Sequence, residues 1–219
     1  MEALSVRPAR MSDFEAYLDI QHVAWGNMAA SEEQVRMRFD VHLEGILVAE
    51  RGHEVVGTIT LVRLASYDAD RPLSWNEASG HGWCTSHVPD GPVVFVVDLS
   101  SKGGVKAGPC LIAAAVDFVS SAGAAALTWG GRMPGFAGYR SDHPEISVDE
   151  YLRLKRPDGR YLDWQVRMYS EVFPGVEVVR AVPDYFDDPE SENCGVMLRI
   201  PNAGFRARSV PVSASRTQL

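Results

Sequence analysis

Residues 93–123 decide how this chain folds: VVFVVDLS (93–100), SKGGVKAGP (101–109) and CLIAAAVDFVSSAG (110–123). The first run is almost wholly apolar, which predicts a strand buried on both faces at the centre of a sheet. The Ala-rich run after Pro109 predicts a helix that Gly123 stops. Between them lies a glycine-rich turn carrying Lys102 and Lys106. Such a turn offers main-chain N–H groups and the positive end of a helix dipole to an anion such as a phosphorylated ligand. Glycines also occur in strand-to-helix turns for steric reasons alone, so the meaning of this one depends on its surroundings.

Upstream, residues 6–9 read as a short strand. Ser12 and Glu15 have the spacing of a capping box, opening a helix with Phe14, Tyr17, Leu18 and Trp25 on one face. A second box, Ser31 and Gln34, opens a helix that turns Val35 and Phe39 inward. ILVAE and VVGTITLVRL, joined by a short turn at residues 51–53, predict a hairpin. Residues 67–92 show no sustained period and read as a long functional loop.

Downstream, ALTWGG predicts a strand and residues 131–146 a second long loop. A third box, Ser147 and Glu150, opens a helix, and another helix spans residues 161–172. VEVVRAV and CGVMLRI are closing strands. The expected architecture is a single α/β (α+β) domain over residues 1–202, with a mixed sheet of about six or seven strands flanked by helices on both faces. Residues 203–219 are expected to form an extended or mobile tail.

The 219 residues carry a formal net charge of −8, which argues against broad non-specific nucleic-acid binding and leaves room for a local basic patch. No apolar run is long enough to span a bilayer and the N-terminus lacks a secretory pattern. Three scattered cysteines, Cys84, Cys110 and Cys194, fit a reducing cytoplasm better than a disulfide framework.

The order of elements, the opening SVRPARMSDFEAY, the strand VVFVVDLS with its glycine loop, and the late VRMYSEVFPGVEVV together resemble the GNAT superfamily of N-acyltransferases, over residues 4–200. Within it, the long loop from Trp75 to His87 and the GGRMPGF segment resemble a branch of larger bacterial members. The resemblance implies an acyl-CoA co-substrate, acetyl-CoA by default, no metal, and direct transfer to the amine of a small acceptor. Its central strand pairs with the pantetheine arm, a role that falls here on Val96, Val97, Asp98 and Leu99. Its pyrophosphate loop falls on Lys102, Gly103, Gly104, Val105, Lys106, Ala107 and Gly108. Here the sequence departs from the family pattern: Val105 stands where a glycine is usual, and Pro109 removes one N–H. A valine at positive φ would be an outlier, so a changed loop conformation is expected. The altered loop also admits another donor, an aminoacyl-tRNA or a carrier-protein thioester, with Arg206, Arg208 and Arg216 touching phosphates. A third reading is a non-catalytic ligand-binding relic of the fold.

Several residues carry two readings. Asp98, ionisable within an apolar run, is either a general base or a cap on the following turn. Tyr169 sits where the family places the phenol that protonates the leaving thiolate, or is a helix-end aromatic facing the core. His81, Cys84 and His87 are competent zinc ligands, yet lack a fourth and read better as loop residues. Trp75, Trp83, Tyr67 and His87 suit an aromatic acceptor pocket. Arg132 grips an anionic group of donor or acceptor, or is a solvated loop arginine. The apolar closing strands leave room for a homodimer.

Overall fold

The computed structural model describes residues 3–66, 72–103 and 105–205. Tyr67, Gly104, Arg206, Arg208 and Arg216, all named above, lie outside them. One mixed sheet contains β1 (Leu4–Pro8), β2 (Ile46–Arg51), β3 (Glu54–Leu64), β4 (Val93–Ser101), β5 (Ala126–Arg132), β6 (Glu177–Val182) and β7 (Gly195–Pro201). Its spatial order is β1-β2-β3-β4-β5-β7-β6. Every neighbouring pair is antiparallel except β4 and β5.

The helices among the described residues are α1 (Phe14–Trp25), α2 (Glu32–His42), α3 (Trp75–Ser79), α4 (Gly108–Ser121), α5 (Phe136–Asp142), α6 (Val148–Arg153) and α7 (Trp164–Val172). Leu111, Ile112, Ala115 and Val119 of α4 share a core with Leu47, Ile59, Val94, Val96 and Leu127 on one face of the sheet. Tyr17, Leu18 and Ile20 of α1, with Val35 and Phe39 of α2, cover Ile46 and Val48 on the other. That two-sided cover explains why β4 needs apolar residues at every position from Val93 to Val97, all of them buried. Each such side chain contributes about 1.5–3 kcal/mol by leaving water. Among the described residues no helix is long and apolar enough to cross a membrane.

The boxes at Ser31/Gln34 and Ser147/Glu150 form as expected. The Ser12/Glu15 box does not. Asp13 precedes α1 instead, its carboxylate accepting from the Arg10 amide at 2.7 Å and from Arg7 of β1 at 2.7 and 3.0 Å. A bidentate guanidinium already fixed on a strand outweighs a reciprocal cap between exposed groups. The last predicted helix starts later, at Trp164, because the Asp163 carboxylate accepts from the Gln165 and Val166 amides and caps it there.

Both segments read as long loops contain helices. Ser74 and Glu77 make an unanticipated capping box that opens α3, and α5 lies in the second segment. These helices are 5 and 7 residues long. That is too short for a helical period to stand out.

A candidate active site where the sheet splits

The parallel pair β4/β5 is joined over only two positions, Val94↔Leu127 and Phe95↔Thr128. Beyond them the strands part, dividing the sheet into a β1–β4 half and a β5–β7–β6 half. The split coincides with an irregularity in β4. Thr60 of β3 faces Asp98 but Leu61 faces Val96, so Val97 is an extra, bulged residue. A bulge beside a split leaves main-chain groups of a buried central strand without ladder partners, and such groups require another hydrogen-bonding partner.

Below the split stands α4. Its N-terminal residue Gly108 follows Ala107, no side chain caps it, and Pro109 occupies its first turn. The Gly108 and Cys110 amides are thus at a helix end without intrahelical acceptors. Ala107 is fully buried against Gly57: a Cβ built on Gly57 would stand 2.8 Å from the Ala107 Cβ. This contact fixes where the helix begins. Val105 is half-buried and packs against the core that α4 shares with the sheet. Lys102 is less free than its sequence position implies. Its amide donates to the Val56 carbonyl at 2.9 Å and its Nζ to Glu54 at 2.6 Å. Lys106 is exposed.

Across the split, adjacent glycines in β5 make room for two tyrosines. A Cβ on Gly130 would lie 1.9 Å from the Tyr185 ring, and one on Gly131 would lie 2.4 Å from the Tyr169 ring. The two phenols therefore bracket β5 on opposite faces. Tyr169 of α7 accepts at its hydroxyl from Gln165 Nε2 at 2.6 Å. Burial pushes its pKa above the ordinary tyrosine value, so at neutral pH it is a protonated phenol. Gly130→Ala should cost about 3 kcal/mol or more through overpacking against Tyr185. A denaturant melt within about 1 kcal/mol of the parent would refute that close packing.

Asp98 is held by side chains of α1 and α2. Its carboxylate turns onto the helices behind β4 and is nearly buried. Oδ2 accepts from Arg38 Nη1 at 2.6 Å and from the Tyr17 hydroxyl at 3.0 Å, and Oδ1 from Gln21 Nε2 at 3.0 Å. The turn-capping bonds expected from Ser100 and Ser101 are replaced by this counterion role toward a fully desolvated guanidinium. Arg38 also donates through Nε to the Gly82 carbonyl at 2.8 Å, and Gln34 Nε2 donates to the His81 carbonyl at 3.1 Å. Residues of α2 thereby hold the segment that follows α3.

Trp75 reaches the site. Its Nε1 donates to the Val97 carbonyl at 2.8 Å and its amide to the Tyr185 carbonyl at 3.1 Å. It packs against both the cluster that contains Val62, Phe95 and Val97 and the cluster that contains Val182, Tyr185 and Met197, so it bridges the two half-sheets.

Two other candidates lie apart or are engaged. His87 stands beside the start of β4, its Nδ1 accepting from the Arg63 amide at 3.1 Å and its ring stacked at 3.8 Å on His42. It is not part of the split. Arg132 is neither solvated nor free: Asp188 grips it at 2.9 and 2.7 Å and Glu190 at 2.7 Å. It ties the end of β5 to the loop before β7. Burial pushes the Cys84 thiol up to about 12, and no group of three metal-ligating side chains converges among the described residues.

The stacked imidazoles give a pH prediction. Burial, then His87 and Arg63, lowers His42 to about 4, and burial followed by Arg63 lowers His87 as well. As pH falls below about 6.5, the unfolded chain takes up protons that the folded chain refuses. This contribution to stability is full above that pH and is lost on the way down to about pH 4. The thermal midpoint should therefore fall with acidification, and His42→Asn should flatten the fall; an equal slope in both proteins contradicts this.

An antiparallel sheet split at its one parallel pair, with a bulged strand feeding a glycine turn and an uncapped helix, is the GNAT architecture. Solved GNAT-like domains share this fold. It is 25% identical, over 95% of its length and 93% of the relative's, to the Bacillus subtilis (strain 168) protein named "Uncharacterized N-acetyltransferase YkwB". Its fold matches the loading GNATL domain of CurA from Lyngbya majuscula with a TM-score of 0.75 at 17% identity, covering 92% of this chain and 98% of that one. It also matches the GphF GNAT-like decarboxylase in complex with isobutyryl-CoA, with a TM-score of 0.70 at 19% identity, covering 90% and 99%. No family model matches the sequence.

Proposed function

We propose that the chain is an N-acyltransferase that moves an acyl group, acetyl by default, from acyl-CoA to the amine of a small acceptor. The observation that carries this reading is the coincidence of the β4 bulge at Val97 with the parting of β4 from β5 above an uncapped helix. The likeness to YkwB and to the CoA-bound GphF fold supports it.

In this reading the pantetheine arm pairs with the β4 edge from Val96 to Leu99, and the amides of Gly103, Val105, Ala107 and Gly108 face the pyrophosphate. Lys106 adds charge, and Lys102 joins it by releasing Glu54. The acceptor nitrogen attacks the thioester carbonyl, and a main-chain N–H at the bulge stabilises the oxyanion. The C–S bond then breaks, the departing thiolate takes the proton of the Tyr169 phenol, and the proton given up by the acceptor nitrogen restores the phenol. Asp98 holds the bulge from behind through Arg38. Trp75 walls the acceptor side; His87 and Arg132 are assigned to structure.

Thermal unfolding with acetyl-CoA, longer acyl-CoAs and free CoA tests the donor. Saturation at about a hundredfold over Kd should stabilise the chain by about 2.7 kcal/mol. No shift with any of them, combined with retention of charged tRNA or of an acyl carrier protein, would replace CoA as donor; no shift with any partner would leave a non-catalytic binder.

A further inference from the structure

Hydrogen bonds on the acceptor side of β4 close into a ring. The Val97 carbonyl accepts from Trp75 Nε1, and Trp75 opens α3. The chain leaving α3 passes through Gly80, whose φ of 61° makes an αL stop, and reaches Gly82 at φ 80°. The Gly82 carbonyl accepts from Arg38 Nε, and Arg38 Nη1 donates to Asp98, the residue after Val97. The bulge is thus held twice, once from the front by the indole and once from behind by the carboxylate, and both holds meet at one guanidinium.

Space is as tight as the bonding. A Cβ on Gly82 would lie 3.0 Å from the Trp75 ring, 3.1 Å from Gln34 and 3.4 Å from Arg38, so the segment is packed onto α2 and onto its own indole. Arg38 is 3% exposed. A buried guanidinium needs its neutralising partner, and Asp98 satisfies that need alone. The bond to Gly82 serves a different end: it fixes residues 75–84 relative to the strand.

We infer that Arg38 is a positioning residue which latches the 75–84 strap onto β4, and that the latched Trp75 sets the size of acceptor that can reach the reacting carbonyl. The inference deepens the transferase reading and rests on it. Arg38→Lys separates the two duties: a lysine keeps a positive charge beside Asp98, but its donors all sit on one nitrogen, without the separate Nε that reaches the Gly82 carbonyl. Trp75→Phe removes the indole N–H while keeping an aromatic ring.

The full-length chain would be assayed for thiol release from acetyl-CoA with methylamine, benzylamine and tryptamine, alongside acetyl-CoA affinity. Each variant should raise the bulky-to-small ratio of kcat/KM by about tenfold, with donor Kd within about twofold. The double variant should show no more than the larger single effect, because both act through one ring. An unmoved ratio, fully additive effects, or donor affinity falling in step with turnover would overturn the inference. Amide exchange of residues 80–84 gives a second measure that needs no acceptor. Arg38→Lys should speed it about tenfold with β2 and β3 unchanged, and equal rates overturn the latch. If the parent protein fails to bind acetyl-CoA, the transferase reading falls and takes this one with it. Binding with an unmoved ratio removes the latch alone.

Discussion

Arg38→Met should lower the stability of the chain by about 3–5 kcal/mol, the cost of leaving a buried charge without its partner. The stranded group is Asp98, 8% exposed in the present fold, whose Oδ2 loses its 2.6 Å bond. The Tyr17 and Gln21 donors remain, and neutral donors alone do not offset the desolvation of a carboxylate. The double variant Arg38→Met/Asp98→Asn should recover most of the loss, because an amide leaves no net charge behind. Denaturant unfolding of the parent, both single variants and the double variant measures this coupling. Additive losses would mean that the pair does not act as a unit, and that Asp98 is free for another role.

Tyr169→Phe should lower turnover about a hundredfold to ten-thousandfold, the range spanned by a positioned proton donor, while acyl-CoA affinity stays within about twofold. The hydroxyl touches Gln165 on its own helix and its ring rests on Gly131, so phenylalanine keeps the packing and loses only the O–H. Since the phenol is protonated throughout the neutral range, the rate should not gain a new basic limb near neutrality; its decline belongs to higher pH. A loss concentrated in KM would instead mark Tyr169 as part of the binding surface. Unchanged turnover would remove it from the mechanism.

The sheet was legible because its signals are local. Uniform apolarity at residues 93–97 states that both faces are covered, and the glycine turn with the helix behind it follows in the same run. The site was legible only in part. The Val97 bulge depends on pairing with β3, which residues some forty positions upstream supply, and no property of valine announces it. Asp98 stood out as a lone carboxylate, but its partner Arg38 is 60 residues away. A clue was present, since Arg38 shares the inward face of α2 with Val35 and Phe39. An arginine at such a position implies a buried counterion. The paired glycines of β5 were a second clue: glycine inside a strand marks close approach of another group, here the rings of Tyr185 and Tyr169. Trp75 was singled out for its chemistry, while the helix that aims it was too short to be seen. His87 and Arg132 were chosen for their residue type and their place in the two long segments, and tertiary packing engages both.

Backbone amide resonances followed during titration with acetyl-CoA test most directly whether the parted strands hold an activated acyl group. Shifts should concentrate at residues 96–99 on β4, at 103–108 and 110 through the turn into α4, and at 130–132 on β5, with β1 and β6 unmoved. Saturating acetyl-CoA that leaves these amides in place, or that moves only those near His42 and His87, would contradict the assignment.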